Sequence, residues 1–87
     1  MLPHVVSAEP ANEYRIHLTF SDGISGVVDF REHVVGRGGM FSVLEAPSMF
    51  NAFTIDAESG TLVWPNGVDF CPVTLHALAI SQGAVAA

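Results

Sequence analysis

Strict alternation of apolar and polar side chains over residues 13–20 is the feature that most constrains how this chain can fold. Side chains of an extended chain alternate between two sides, so one face of this segment is buried and the other is wet, as in an antiparallel sheet. The turn sequence Ser21-Asp22-Gly23 and a second alternating run over residues 24–30 then predict a β-hairpin. The buried face of the first run consists of Tyr14, Ile16, Leu18 and Phe20.

Three further segments predict strands. Residues 4–9 are typical of a first strand that precedes the hairpin. Residues 53–57 and 61–64 predict a second hairpin, closed by the turn Glu58-Ser59-Gly60. We therefore expect a three-strand meander, followed after a helical excursion by two more strands.

Helical segments are predicted between the hairpins and near the end of the chain. Residues 31–35, 40–46 and 48–52 favour short helices, the last with Ser48 as its N-cap. Helices this short are not stable alone, so packing against the sheet must hold them. Pro72 suits the first position of a final helix that runs to about Ser81.

The order of these elements, βββ-αα-ββ-α, predicts an α+β fold. We expect one mainly antiparallel sheet, made of the three-strand meander and the second hairpin, with short helices covering one side. The length of the chain predicts a single domain over residues 1–83. Residues 84–87 contain nothing that would order them, so we expect a disordered tail there.

The charge balance excludes two classes of partner. The chain has no lysine and three arginines against nine acidic residues, which gives a net charge of −6 at pH 7. Binding a nucleic-acid backbone or an anionic membrane surface requires clustered lysine or arginine. We therefore exclude direct binding to nucleic acid and to membranes.

The apolar content and the single cysteine bear on partners and location. Hydrophobic residues make up 49% of the chain and charged residues 14%, an excess that favours an apolar surface covered by a partner, most simply a second copy. Cys71 alone cannot form an internal disulfide, and the sequence contains neither a membrane-spanning run nor a signal peptide. These observations predict a cytoplasmic protein that forms a homodimer or binds another protein.

The segment Trp64-Pro65-Asn66-Gly67-Val68-Asp69 contains the strongest candidates for a site. Its Pro-Asn-Gly sequence predicts a type I turn that ends in a left-handed residue, with Trp64 packed on the core and its indole N–H bonded to an acceptor. Asp69 would accept backbone N–H groups at the start of the final helix or pair with an arginine. The segment then serves as a turn and a helix cap. In the alternative, Trp64, Asn66 and Asp69 bind a partner or a ligand.

Other features carry weaker chemical signals. The Gly36-Arg37-Gly38-Gly39 run lacks the Lys-Ser/Thr ending of a phosphate-binding loop, so we expect a mobile loop, with Arg37 in a weak anion-binding nest as the alternative. Cys71 lies at the predicted N-cap of the final helix, and we expect an inert, partly buried thiol. The four histidines lack metal-ligand spacing, and we predict no metal, no cofactor and no catalytic residues.

An ordered set of motifs spans about residues 4–80. The motifs are Phe20-Ser21-Asp22-Gly23, Val28-Asp29-Phe30, Phe41 to Leu44, Pro47-x-x-Phe50, Asp56-x-x-x-Gly60, and Val63 to Phe70 followed by Pro72 and Leu75. No single motif is distinctive, whereas the ordered set is, and it resembles the domain-of-unknown-function family 2442.

The resemblance implies a small bacterial α+β domain whose biochemistry is uncharacterised. Some relatives carry a helix-turn-helix segment after this domain, and we expect none here because the chain ends too early to contain it. Relatives are also encoded beside a second short protein in toxin–antitoxin-like pairs. The resemblance therefore implies a protein partner.

Together these features predict a non-enzymatic protein-interaction module that self-associates and serves as the antitoxin-like partner of a second small protein. The alternative is a small-ligand-binding domain or minor enzyme with a pocket near Trp64 and Asp69. The candidate residues for binding a partner or ligand are Trp64, Asn66, Asp69 and Arg37.

Overall fold

The strands of the protein form two antiparallel sheets. The computed structural model describes residues 3–86. In chain order the strands are β1 (Val5–Pro10), β2 (Arg15–Phe20), β3 (Ile24–Asp29), β4 (Thr54–Asp56), β5 (Thr61–Val63), β6 (Asp69–Phe70) and β7 (Val85–Ala86). The larger sheet has the order β1-β2-β3-β7 and the smaller sheet the order β4-β5-β6, with every neighbouring pair antiparallel. The predicted meander lies in the larger sheet and the predicted second hairpin in the smaller one, so the two do not share the single sheet that we expected.

Short helices accompany the sheets, which confirms the predicted α+β class. They are α1 (Arg31–Val34), a 3-10 helix (Gly39–Glu45), α2 (Pro47–Phe50) and α3 (Pro72–Ser81). The prediction that Ser48 caps a helix is wrong, because Ala46 occupies the N-cap position and Pro47 begins α2. Proline suits the first helical position, where its missing N–H leaves no hydrogen bond unmade.

The hairpin of β2 and β3 confirms the prediction drawn from alternation. Ile16 pairs with Val28, and both side chains are 0% exposed. In the connecting turn, the backbone N–H of Ile24 donates to Asp22 Oδ1 at 3.0 Å. Gly23 has a φ of 90°, which glycine adopts without steric cost.

Strand β2 begins at Arg15, two residues later than the alternation predicts. Glu13 and Tyr14 have φ angles of 57° and 66°, in the left-handed region that no strand occupies. A turn forms there, and the Ala11 N–H donates to the Arg15 carbonyl at 2.8 Å. Tyr14 still packs against the core. The alternation of buried and exposed side chains therefore continues through the turn and does not show that the backbone leaves the strand conformation there.

A single cluster of buried apolar side chains joins the two sheets and α3. Each of these elements therefore depends on the others for burial of its apolar face. Members that are 0% exposed include Ile16 and Leu18 from the larger sheet, Leu62 from the smaller sheet, and Leu75 and Ala79 from α3.

The two sheets meet where the start of β1 approaches the turn between β4 and β5. The Val5 N–H donates to the Gly60 carbonyl at 3.2 Å. A Cβ atom at Gly60 would overlap the His4 side chain, and Gly60 has a φ of 68°. Both facts require glycine at this junction.

The end of the chain corrects the prediction of a disordered tail over residues 84–87. Val85 and Ala86 form β7, which pairs with Ser25 and Ile24 of β3. The preceding Ala84 lies so close to β3 that a Cβ atom at Gly26 would approach the Ala84 Cβ atom to 2.8 Å. Because Gly26 has no side chain, the C-terminal segment can lie against β3. Local sequence could not predict this contact. Ala87 lies outside the described residues.

Candidate functional site

The Trp64–Asp69 segment is a hairpin loop that connects β5 to β6. The Gly67 N–H donates to the Trp64 carbonyl at 2.9 Å, and the Trp64 N–H donates to the Val68 carbonyl at 2.8 Å. Gly67 has a φ of 94°, as a left-handed residue after a type I turn requires. The predicted turn is confirmed, and it joins two strands rather than a strand and a helix.

Trp64 lies in the core. It is 2% exposed, and its indole N–H donates to the Phe50 carbonyl at 2.7 Å. The indole ring packs against Phe50 at 5.8 Å and Phe70 at 5.7 Å between ring centroids. Both expectations for Trp64, core packing and a bonded indole, are confirmed, and its buried ring offers almost no surface to a ligand.

Asn66 fastens the hairpin loop to the start of the 3-10 helix. Its side-chain Nδ2 donates to the Met40 carbonyl at 2.9 Å, and its Oδ1 accepts from the Val68 N–H at 3.3 Å. Both ends of the amide are therefore used within the fold. This residue positions the loop, and the Pro-Asn-Gly sequence gave no indication of the contact with Met40.

Asp69 lies in β6, opposite Val63 of β5, and its side chain is exposed. The expectation that it caps the final helix or pairs with an arginine is wrong: over residues 3–86, its carboxylate makes no hydrogen bond or ion pair with another side chain or the backbone. The cause is the unpredicted strand β6, which aligns Asp69 with the outward-facing Val63. Trp64 follows Val63 and faces the core, so Trp64 and Asp69 do not line a common pocket.

Arg37 lies in the glycine-rich loop between α1 and the 3-10 helix, with an exposed side chain. Its Nε donates to the Glu32 carbonyl at 3.0 Å. The neighbouring Gly36 N–H donates to the Glu45 carboxylate at 3.4 Å. This loop therefore already holds an anionic group of its own chain, and Arg37 is not brought to Asp69.

Cys71 occupies the N-cap position of α3, as predicted, but the thiol is exposed rather than partly buried. Its Sγ lies 3.1 Å from the Thr74 hydroxyl. That side-chain hydrogen bond, followed by the backbone N–H of Thr74, lowers the pKa of Cys71 from its ordinary value of 9.0.

His76, on α3, bonds to the turn between β2 and β3. Its Nε2 lies 2.8 Å from Asp22 Oδ2, and its ring packs edge-on against Phe20 at 5.0 Å. The backbone N–H of Ile24, and then the bond to His76, hold the pKa of Asp22 below its ordinary 3.8. These contacts link α3 to the end of β2 and to the turn that follows it.

Among residues 3–86, no group of three or more His, Cys, Asp or Glu side chains could hold a metal ion. Within the same range, no helix has the length and apolar character needed to cross a membrane.

The exposed side of α3 is a surface that the sequence reasoning missed. Leu75 and Ala79 face the core at 0% exposure. On the opposite side Val73 is 51% exposed and Ile80 is 47% exposed. A shallow groove of about 470 Å³ lies along the helix and is lined by Val73, Thr74, Ala77, Leu78 and Ser81. The available signal was the absence of any Asp, Glu, Lys or Arg from residues 72–81.

These features define a small α+β domain with one core, a structural hairpin loop at Trp64–Asp69, and an exposed apolar helix face. Residues 5–81 match the family described as "Protein of unknown function (DUF2442)", and the chain belongs to that family. The match confirms the resemblance inferred from the ordered motifs. No curated protein and no solved structure gives a significant match to the chain.

Proposed function

We propose that this protein is a non-enzymatic protein-interaction module that self-associates and binds a second small protein in an antitoxin-like pair. The observation that carries the proposal is α3, a ten-residue helix with apolar side chains on both its buried and its exposed sides. A helix that is apolar all round is usually covered all round. The uncovered side of α3 therefore favours a protein contact.

The free energy that such a contact can gain from apolar burial is moderate. Burying apolar surface stabilises a complex by roughly 25 cal/mol per Å², which amounts to about 1.5–3 kcal/mol for a fully buried Val or Ile. Val73 and Ile80 each keep about half of their surface exposed. A partner that covered both would recover a part of that free energy at each position.

The charge distribution supports a basic second partner. The net charge of −6 attracts a cationic protein and accelerates its approach. All three arginines are occupied within the chain, so the acidic surface remains largely uncompensated. The contacts are Arg15 with Asp29 at 3.7 Å, Arg31 with Glu13 at 3.9 Å, and Arg37 with the Glu32 carbonyl at 3.0 Å. The same imbalance is why we propose a protein partner rather than nucleic acid.

The arrangement of nucleophile and base supports a non-enzymatic role. The thiol of Cys71 bonds to the Thr74 hydroxyl, whereas His76 bonds to Asp22. An adjacent base within hydrogen-bond reach is a common way to activate a thiol nucleophile, and here the Cys71 thiol and the His76 ring are each bonded to another group. A single exposed thiol is also compatible with the cytoplasmic location that we include in the proposal.

The test is co-expression with the protein encoded next to this gene in the native host. We expect a stoichiometric complex that survives gel filtration at low salt and weakens as salt is raised, because screening reduces the attraction between opposite charges. An Asp69→Asn variant removes one carboxylate that is unbonded within the fold, and its binding should weaken modestly. If the neighbouring product and the chain elute separately at every salt concentration, the paired part of the proposal is wrong.

A further inference from the structure

We propose that the outer face of α3 is the contact surface between two copies of this chain, which pack as an antiparallel helix pair about a two-fold axis at Ala77. This inference rests on the proposed function and makes its self-association specific. The outer face of α3 consists of Val73, Thr74, Ala77, Ile80 and Ser81, all of which are exposed.

Helical spacing places these five side chains together. Positions three, four and seven apart share one side of an α-helix, as Val73, Ala77 and Ile80 do. Leu75 and Ala79 lie on the opposite side and are fully buried. The outer face of α3 is therefore a continuous strip along the helix rather than a scatter of single exposed residues.

The lack of charged side chains on this strip indicates which partner can cover it. Two copies of a chain with a net charge of −6 repel each other, and the repulsion costs most where they bring acidic side chains together. The outer face of α3 contains no charged side chain, so two copies can meet there without opposing carboxylates. A basic partner, in contrast, would find no carboxylate to pair with on this face. The surface therefore fits a second copy better than it fits a cationic protein.

The order of large and small residues makes the strip self-complementary. In an antiparallel pair centred on Ala77, a residue three positions before the centre lies opposite one three positions after it. Thr74 then faces the second copy's Ile80, and Val73 faces the second copy's Ser81. Each large side chain meets a small one, and the two Ala77 residues let the backbones approach closely. Such alternation allows side-chain ridges to fill grooves at the usual interhelical distance of about 8–10 Å.

The area required shows how far the contact must extend. A stable complex buries about 800 Å² per partner, about one-sixth of the 4855 Å² surface of the described chain. A ten-residue helix is only about 15 Å long and about 10 Å wide, so α3 alone is too small. A second groove of about 430 Å³ adjoins Val73 and is lined by Pro3, His4, Glu58 and Pro72, among others. The contact would extend into it, at a distance from the two-fold axis, where Glu58 is the acidic residue that lines the groove.

The first experiment compares Ala77→Glu with Val27→Glu by sedimentation equilibrium from low micromolar to near-millimolar concentration. Ala77→Glu places two carboxylates opposite each other on the axis and should raise the dissociation constant of the dimer at least about 100-fold. Glutamate is a good helix former, so the variant should keep its fold, which circular dichroism checks. Val27 is 45% exposed and alternates with the buried Val28, so Val27→Glu adds the same charge to the outer side of the larger sheet. It should dimerise like wild type.

A second experiment tests the two-fold axis itself, in a Cys71→Ser background that removes the native thiol. Ala77→Cys should form an intermolecular disulfide rapidly under mild oxidation, because the two Ala77 residues face each other. Val27→Cys is the matched control and should cross-link slowly. Equal rates for the two variants, or dimerisation lost in Val27→Glu and kept in Ala77→Glu, would overturn the proposed surface.

The outcomes separate this inference from the proposed function. A wild-type chain that stays monomeric throughout the concentration range contradicts the α3 dimer, while the complex with the neighbouring gene product can still form. A monomeric Ala77→Glu variant that still binds that product supports both proposals and assigns them to different surfaces. A wild-type chain that binds neither itself nor that product refutes both.

Discussion

Replacing Trp64 by alanine tests whether the hairpin loop is a structural element. The indole is 2% exposed, and its N–H donates to the Phe50 carbonyl at 2.7 Å. Truncation removes this donor and opens a cavity in an aromatic cluster. The rings around the indole, with centroids 5.7–6.4 Å away, are Phe30, Phe50, Phe53 and Phe70.

The expected loss is large compared with the stability of a small domain. Truncating a buried tryptophan costs about 3–5 kcal/mol. The Phe50 carbonyl is also left without a hydrogen-bond donor, and part of the usual cost of such a group, about 1–3 kcal/mol, is added. The whole free energy of unfolding of an 87-residue chain is about 4–13 kcal/mol. Trp64→Ala should therefore be largely unfolded or close to it. Trp64→Phe keeps most of the ring and loses the hydrogen bond, so it should cost only about 1–3 kcal/mol.

Urea unfolding followed by circular dichroism measures both losses. Tryptophan fluorescence cannot serve, because Trp64 is the only tryptophan in the chain. The midpoint should fall from wild type to Trp64→Phe and fall further in Trp64→Ala. Val63→Ala, at the adjacent outward-facing position, is the control and should change the midpoint little. If both Trp64 variants unfold at the wild-type midpoint, the indole does not hold the core together.

Three other substitutions have defined outcomes. Gly26→Ala should detach β7, because the new methyl group collides with the segment before that strand. Hydrogen exchange of the C-terminal amides should then become faster, and unchanged protection would refute the contact. Thr74→Val should raise the pKa of Cys71 by removing the hydroxyl that bonds to the thiol, so alkylation by iodoacetamide should shift to higher pH; an unshifted profile contradicts this. Asp22→Asn should destabilise the protein at neutral pH and lose that effect in acid.

The direction of the last effect follows from proton linkage. The pKa of Asp22 is lower in the folded protein than its ordinary 3.8, so the folded state binds this proton more weakly than the unfolded state. The stabilisation is therefore fully present above pH 3.8 and is lost as the pH falls through the folded value. Wild type and Asp22→Asn should converge in stability below pH 3.8. A difference that persists unchanged into acid would show that the charge of Asp22 is not responsible.

Local sequence patterns predicted those parts of the fold that local geometry decides. The alternation around Ile16 defined the first hairpin, and Pro72 correctly marked the start of α3. The Pro-Asn-Gly loop and the buried Trp64 were also predicted correctly. In each case the deciding interaction lies within a few residues or on one face of one element.

Features decided by contacts between distant segments were missed. β6 contains two residues and exists because Asp69 and Phe70 pair with β5, which no period within two residues can reveal. β7 depends on the space left by Gly26, nearly sixty residues away. The turn at Glu13 preserves the alternation of side chains while its backbone leaves the strand conformation.

The candidate site was harder to predict than the fold. Trp64 and Asn66 were named as binding candidates, yet their polar groups bond to Phe50 and Met40 inside the molecule. The outer face of α3 was not predicted, because an apolar residue in a helix indicates burial whichever way its side chain faces. The informative signal was the missing charge on the other side of the helix, since an exposed helix normally carries polar residues there.

The most direct test of the interaction module is the mass of a tagged chain purified at native expression from its own host. Multi-angle light scattering after gel filtration, with the sample concentrated into the same micromolar to near-millimolar range before loading, should give a mass well above the 9.2 kDa of one copy, from a stoichiometric dimer or from a complex with the neighbouring gene product. Ala77→Glu should remove the dimeric component. A single species of one chain, unchanged by Ala77→Glu and without a stoichiometric companion, would contradict the proposed function.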